Sequence, residues 1–248
     1  MKEFECKRNN IILRGYIDIP NKEIVTNIII LLHGFGADCG RTAGSLMDDC
    51  AKTLSCAGYC SIRFDFYGCG KSSGVFKQMS LSSQLSDVVA VVEMAKCLYP
   101  MVKITLLGFS EGGLVASLAA SMLKIDKLIL LAPAISIIEE IKRGQLLGTA
   151  LDIDYLPDSL YIKRVDRVVG KTFIQDCIDC DVHQISKYSG PVLYCQSLYD
   201  EYVPQEVEKI YQKLYFNRMN VVRVNTSNHI FTGPERKIML RKVINFIS

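Results

Sequence analysis

Histidine is scarce in this chain of 248 residues, with only His33, His183 and His229 present, so any proton relay that needs an imidazole has three candidates. Long apolar runs are missing too. The longest, Ile28 to Leu32 and Leu128 to Ile135, are far too short for a membrane span. Charge of one sign does not dominate: 29 basic residues against 26 acidic ones leave a net charge of +3, and the basic residues are scattered, which argues against nucleic acid as a partner. The first residues, Met1-Lys2-Glu3-Phe4-Glu5-Cys6-Lys7-Arg8, lack the apolar stretch of a signal peptide, so a soluble, cytoplasmic protein is expected. Internal repeats and low-complexity segments are absent as well.

Ten cysteines are many for such a chain, but their irregular spacing points to reduced, mostly buried thiols rather than a disulfide framework. Cys177, Cys180 and His183 stand at ligand-like intervals without an evident fourth ligand or a second paired element, so neither metal nor cofactor is expected. The Gly68-Cys69-Gly70-Lys71-Ser72 loop has the wrong continuation for a phosphate or dinucleotide loop.

A hydrophobic content of 49% over this length suits one large α/β domain. A strand pair is expected over Phe4 to Ile19, with Gly15 and the Asn9-Asn10 step as turn signals. Buried strands follow at Ile24 to Leu32, Tyr59 to Phe64, Val102 to Phe109 and Lys127 to Leu131, alternating with helices at Thr42 to Ala57, Ser80 to Leu98 and Gly112 to Met122. That alternation predicts a mainly parallel sheet with helices on both faces. It lapses between about residues 135 and 189, where short helical pieces and scattered aromatics predict an inserted cap or lid rather than another sheet unit. It then resumes with strands at Pro191 to Ser197 and Asn220 to Val224 and helices at Gln205 to Tyr215 and from about Pro234 to Ile247.

Within this frame Gly108-Phe109-Ser110-Glu111-Gly112 is a Gly-x-Ser-x-Gly sequence between a strand and a helix. A tight turn there lifts the Ser110 hydroxyl out of the sheet, as a nucleophile requires. Its proton needs a base. His229 follows the last predicted strand and emerges at the same sheet edge; His33 reaches that edge too, but leads a glycine loop, and His183 falls in the cap. A carboxylate must orient the imidazole, and Asp200, after the penultimate strand, meets that need with Glu201 as its rival.

The order Ser110, Asp200, His229 and the motifs around it resemble those of the α/β-hydrolases over nearly the whole chain. Here His33-Gly34-Phe35-Gly36 matches the oxyanion loop, Gly108 to Gly112 the nucleophile elbow, and Asp200 to Pro204 the acid loop. The segment Arg63 to Gly74 is similar to one in bacterial cinnamoyl (feruloyl) esterases and their S33-type serine aminopeptidase-like relatives. The resemblance implies acyl transfer to Ser110, with His229 as proton relay, Asp200 orienting it and the backbone amides of Phe35 and Glu111 as the oxyanion hole. It also implies substrate contacts at His33, Glu140 and Phe173, the last two standing where hydroxycinnamate-binding members often carry an acid and a tyrosine to hold the phenol. Glu111, where the family more often has an uncharged residue, would put a carboxylate beside the nucleophile, and its negative charge is expected to discourage acidic substrates.

The expected function is a serine carboxylesterase for small or medium acyl esters, including the hydroxycinnamoyl type. An aminopeptidase-like peptidase, a monoacylglycerol lipase, a thioesterase and a non-catalytic ligand-binding relative stay open, as does a homodimer. Dehalogenase chemistry is disfavoured, since it needs an aspartate where Ser110 stands.

Overall fold

A computed structural model describes residues 1–20, 25–225 and 228–248. Ile24 of the expected third strand, and Thr226 and Ser227 of the loop before His229, lie outside the described residues.

The chain opens with β1 (Lys2–Arg8) and β2 (Ile11–Asp18), paired antiparallel, then β3 (Asn27–Leu32), α1 (Leu46–Cys56), β4 (Cys60–Phe64), α2 (Leu81–Leu98), β5 (Lys103–Phe109), α3 (Glu111–Met122) and β6 (Lys127–Leu131). An excursion follows: α4 (Ser136–Lys142), β7 (Gln145–Leu146), β8 (Thr149–Ala150), β9 (Ser159–Ile162), β10 (Arg167–Gly170) and α5 (Lys171–Asp179). The chain then returns with β11 (Val192–Ser197), α6 (Val207–Tyr215), β12 (Met219–Val224) and α7 (Glu235–Ile247).

Eight strands form one sheet in the order β1-β2-β4-β3-β5-β6-β11-β12, parallel from β4 onward. The central strands read as unbroken apolar runs because both faces are covered. In β3, Ile28, Ile30 and Leu32 join one buried cluster while Ile29 and Leu31 join the other, and β6 divides in the same way. Leu46, Met47, Cys50 and Leu54 of α1 pack with Met239, Leu240, Val243 and Ile247 of α7 on one face. Helices α2, α3 and α6 contribute to the cluster on the other.

Local chemistry shifts some boundaries. The first helix begins at Leu46 rather than Thr42, because Gly44 takes a left-handed conformation and Ser45 caps the helix by accepting from the Asp48 amide at 3.4 Å. Ser80 and Ser83 close a reciprocal capping box at the start of α2. The excursion holds two antiparallel hairpins that apolar periodicity did not reveal, β7–β8 and β9–β10. The first turns through Leu147 and Gly148, both at positive φ, so a leucine occupies a position where turn chemistry favours asparagine or glycine.

The β5–α3 junction shows why the motif has its glycines. Ser110 sits at φ 55°, ψ −123°, and Gly112 passes so close to the end of β3 that a Cβ there would lie 2.4 Å from the carbonyl oxygens of both Leu32 and His33. Backbone cannot yield to such a contact as a flexible side chain would. Gly112→Ala is therefore expected to cost about 2 kcal/mol or more, lowering Tm by roughly 4–8 °C in a calorimetric scan of the purified protein.

Candidate active site

Three loops at the C-terminal edge of the sheet meet around Ser110. The elbow itself is pinned by backbone: the Ser110 amide donates to the Leu131 carbonyl at 2.9 Å, and the Ser110 carbonyl accepts from Gly113 and Ala134, each at 2.9 Å. Glu111 is the first residue of α3, so its amide has no acceptor within the helix and lies at the positive end of the helix dipole.

The loop after β12 delivers His229. Its Nδ1 lies 2.8 Å from Asp200 Oδ2, and the Asp200 side chain is fully buried. The other Asp200 oxygen, Oδ1, accepts from the Tyr202 and Val203 amides at 2.8 Å, which fixes the carboxylate. Glu201 binds the same histidine differently: its Oε2 accepts from the His229 backbone amide at 2.9 Å. The two rivals thus divide the work, one holding the ring and the other the main chain. Phe109 and Tyr202 pack on the imidazole at centroid distances of 4.8 and 5.1 Å.

The loop after β3 passes beside Ser110. A Cβ on Gly34 would lie 3.1 Å from the Ser110 Cβ, so glycine is what allows the approach. His33 stabilises this loop from below, buried at 1% exposure. Its Nε2 accepts from the Phe66 amide at 3.1 Å, which leaves Nδ1 protonated and donating to the Gly34 carbonyl at 2.9 Å. Burial pushes its pKa down, so the imidazole is neutral there. Asp65 ties the same loop to the one after β4, accepting from the Cys39 and Lys71 amides at 2.8 Å and from Arg41. Burial alone would raise its pKa, but those amides and the guanidinium hold it below the usual carboxylate value. Sequence reasoning missed Asp65; a charged residue directly after an apolar strand was the available signal.

The structure brings some of the expected site residues to one cavity and leaves others outside it. Phe35, Ser110, Glu140 and His229 line one cavity of about 240 Å³, walled by Ile137, Leu147, Val165, Tyr202 and Val203. Glu140 is held by the Leu147 amide, which donates to its Oε2 at 3.0 Å. Phe173 is fully buried behind Phe35, with ring centroids 5.5 Å apart, and so supports the wall. His33 does not line this cavity; both its ring nitrogens are taken by backbone.

The excursion after β6 reaches the loops through two arginines. Arg164 donates to the Glu201 carbonyl at 2.7 Å and stacks over Tyr202 at 4.1 Å, while Arg167 donates to the Gly36 carbonyl at 3.2 Å. Cys177 is buried, Cys180 is half-buried and His183 is exposed; among the described residues no group of three or more His, Cys, Asp or Glu is placed to hold a metal. All ten cysteines are free.

Residues 24–175, more than half of the chain, match the model of the family described as serine aminopeptidase, S33. The chain belongs to that family. It is an α/β-hydrolase, and its fold is similar to that of Est1E from Butyrivibrio proteoclasticus in a structure with ferulic acid bound, at 29% identity and a TM-score of 0.91, covering 98% of this chain and 97% of that one. A second Est1E structure gives 27% identity and a TM-score of 0.88, with coverage of 99% and 97%. An esterase of Pyrococcus furiosus, Pf2001, shares the fold at 23% identity and a TM-score of 0.73, with coverage of 99% and 89%. No curated protein matches the chain in sequence. Among the described residues no helix is long and apolar enough to cross a membrane.

One expectation needs correcting. The Glu111 side chain does not present a negative charge to substrate: it is 1% exposed, and burial pushes its carboxyl up to about 8, with Gln84 as the polar neighbour pulling the other way. Its Oε1 has no hydrogen-bond partner among the described residues. An unfolded glutamate ionises near pH ~4.3, so between that value and about 8 the unfolded chain has lost a proton the folded protein keeps. Stability therefore falls as pH rises through this window. Glu111→Gln removes the loss, and its Tm advantage over the parent protein is expected to widen by several degrees from pH 5 to pH 8.5, as read by thermal unfolding at both pH values.

Proposed function

We propose that this hydrolase is a serine carboxylesterase. Ser110 attacks the acyl carbonyl, His229 takes the Ser110 proton and returns it to the leaving alcohol, and Asp200 keeps the imidazole in the tautomer whose Nε2 is free to do so. The observation that carries this reading is the 2.8 Å contact of His229 Nδ1 with a buried, doubly amide-bound Asp200, in a histidine that lines the same cavity as Ser110. The amides of Phe35 and Glu111 are the oxyanion donors; loss of one such donor costs on the order of a hundredfold or more in rate.

Residues 135–189 act as the cap of a single α/β domain. With the Ser110 loop they enclose a mainly apolar cavity suited to a small or medium acyl group. Est1E is known in a structure with ferulic acid bound, and a hydroxycinnamoyl group is within this reading, with Glu140 as the one carboxylate among the described residues that line the cavity. Phe173 offers no second polar contact. The family's description favours amide hydrolysis as the alternative, which the same three residues serve. Ten free thiols suit a reducing compartment, and we place the protein in the cytoplasm.

Ser110→Ala is expected to lower kcat/KM for a short-chain nitrophenyl ester by at least about ten-thousandfold and to abolish labelling by a fluorophosphonate. Asp200→Asn should lose about ten-thousandfold in kcat through the wrong imidazole tautomer. Parent-like hydrolysis by folded Ser110→Ala overturns the reading, and a panel of esters, thioesters and aminoacyl amides separates esterase from thioesterase and peptidase.

A further inference from the structure

A second cavity, of about 410 Å³, adjoins the one that contains Ser110. Four residues line both: Gly34, Ala37, Phe109 and Ile230. Three of these are chain neighbours of proposed catalytic groups, since Gly34 precedes Phe35, Phe109 precedes Ser110 and Ile230 follows His229. The two spaces therefore adjoin along the loops of the proposed reacting centre, with Ser110 and His229 lining the first. An ester carbonyl held there has two substituents to place, and the fold provides two spaces.

The structure assigns the second cavity to the alcohol half of the ester, and its chemistry points to a neutral, short polyol. This rests on the esterase reading above. The first cavity lies under the cap and is walled by apolar side chains, which suits the acyl group that stays bound while the acyl-enzyme waits for water. The second has exposed Thr42 and Gly44 at its rim, which suits a group that must leave before water enters.

Leu46 and Met47 give the second cavity an apolar floor for carbon, and Thr42, Thr232 and Asp38 bring hydroxyl and carboxylate groups for a ligand's hydroxyls. Asp38 is fixed through Oδ1, which accepts from the Gly40 and Arg41 amides at 2.8 and 2.9 Å. Arg236 also lines the space, yet its guanidinium is committed to Asp49 at 2.6 Å and to the carbonyls of Gly44, Ile230 and Phe231. It is not a free cation for a phosphate or carboxylate, so an uncharged alcohol fits best.

Two measurements test this. Glyceryl monobutyrate should exceed methyl butyrate in kcat/KM by at least about tenfold, and Thr42→Trp, which fills the open rim, should bring that ratio close to one. The ratio of methyl octanoate to methyl butyrate, which reads the acyl side, should not follow it. Independently of any variant, glycerol should capture the acyl-enzyme saturably and more effectively than methanol. In that step the Ser110 ester bond breaks, the new ester forms on a glycerol oxygen, and the alcohol proton passes through His229 to Ser110 Oγ. Equal use of the two esters by the parent protein, a Thr42→Trp effect confined to acyl length, or equal, unsaturable capture of both alcohols overturns the assignment. If neither ester is hydrolysed by protein that a fluorophosphonate still labels, the esterase reading fails and takes the subsite with it.

Discussion

The backbone of Ser110, at φ 55° and ψ −123°, is a conformation that a residue with a side chain adopts at a cost of about 1–3 kcal/mol. The rest of the edge is arranged to hold it there. Its amide and carbonyl are bound to the ends of neighbouring elements at Leu131, Gly113 and Ala134, so the turn cannot relax without breaking the contact between β5, β6 and α3. The same turn leaves Ser110 lining the cavity at the sheet edge. Stability given up at one residue is supplied by two apolar clusters that cover both faces of the parallel strands.

Each loop that approaches the serine depends on a buried polar group with little freedom. His33 bonds backbone on both sides of its ring, Asp65 gathers two amides and an arginine, and Asp200 takes two amides and the His229 ring. Satisfied networks of this kind rigidify, because losing one partner strands the others without water. Glu111 differs, a carboxyl in the core with one oxygen unpartnered among the described residues. It resolves the conflict by keeping its proton at neutral pH rather than by finding a counter-ion.

Much of this was legible in the sequence where the signal is local. The run Asn27–Leu32 reads as a strand because it is apolar throughout, and Gly108 to Gly112 reads as an elbow because glycines flank a serine at the strand's end. What depended on tertiary packing was not legible. Nothing in the residue type said that the Glu111 side chain would turn into the core toward Gln84 from the first position of α3, or that Phe173 would stand behind Phe35 instead of beside a ligand. Asp200 and Glu201 were rivals by position alone; only the fold shows that one reaches the ring of His229 and the other its amide. The two hairpins between β6 and β11 were hidden because their strands are two to four residues long and one turn carries a leucine.

Those hairpins matter beyond their size, because the turn between β9 and β10 carries Arg164 and the following strand Arg167. One arginine holds the carbonyl of Glu201, whose carboxylate holds the amide of His229; the other holds the carbonyl of Gly36, next to Phe35. The excursion is thus tied to both the loop after β11 and the loop after β3 by hydrogen bonds to main chain. Main-chain acceptors do not depend on the side chains of the loops they belong to, so the excursion can vary in its cavity-lining residues while these attachments persist. The cavity lining around Glu140 and Leu147 and the backbone of the loops that meet at Ser110 are in that sense separable in sequence but joined in structure.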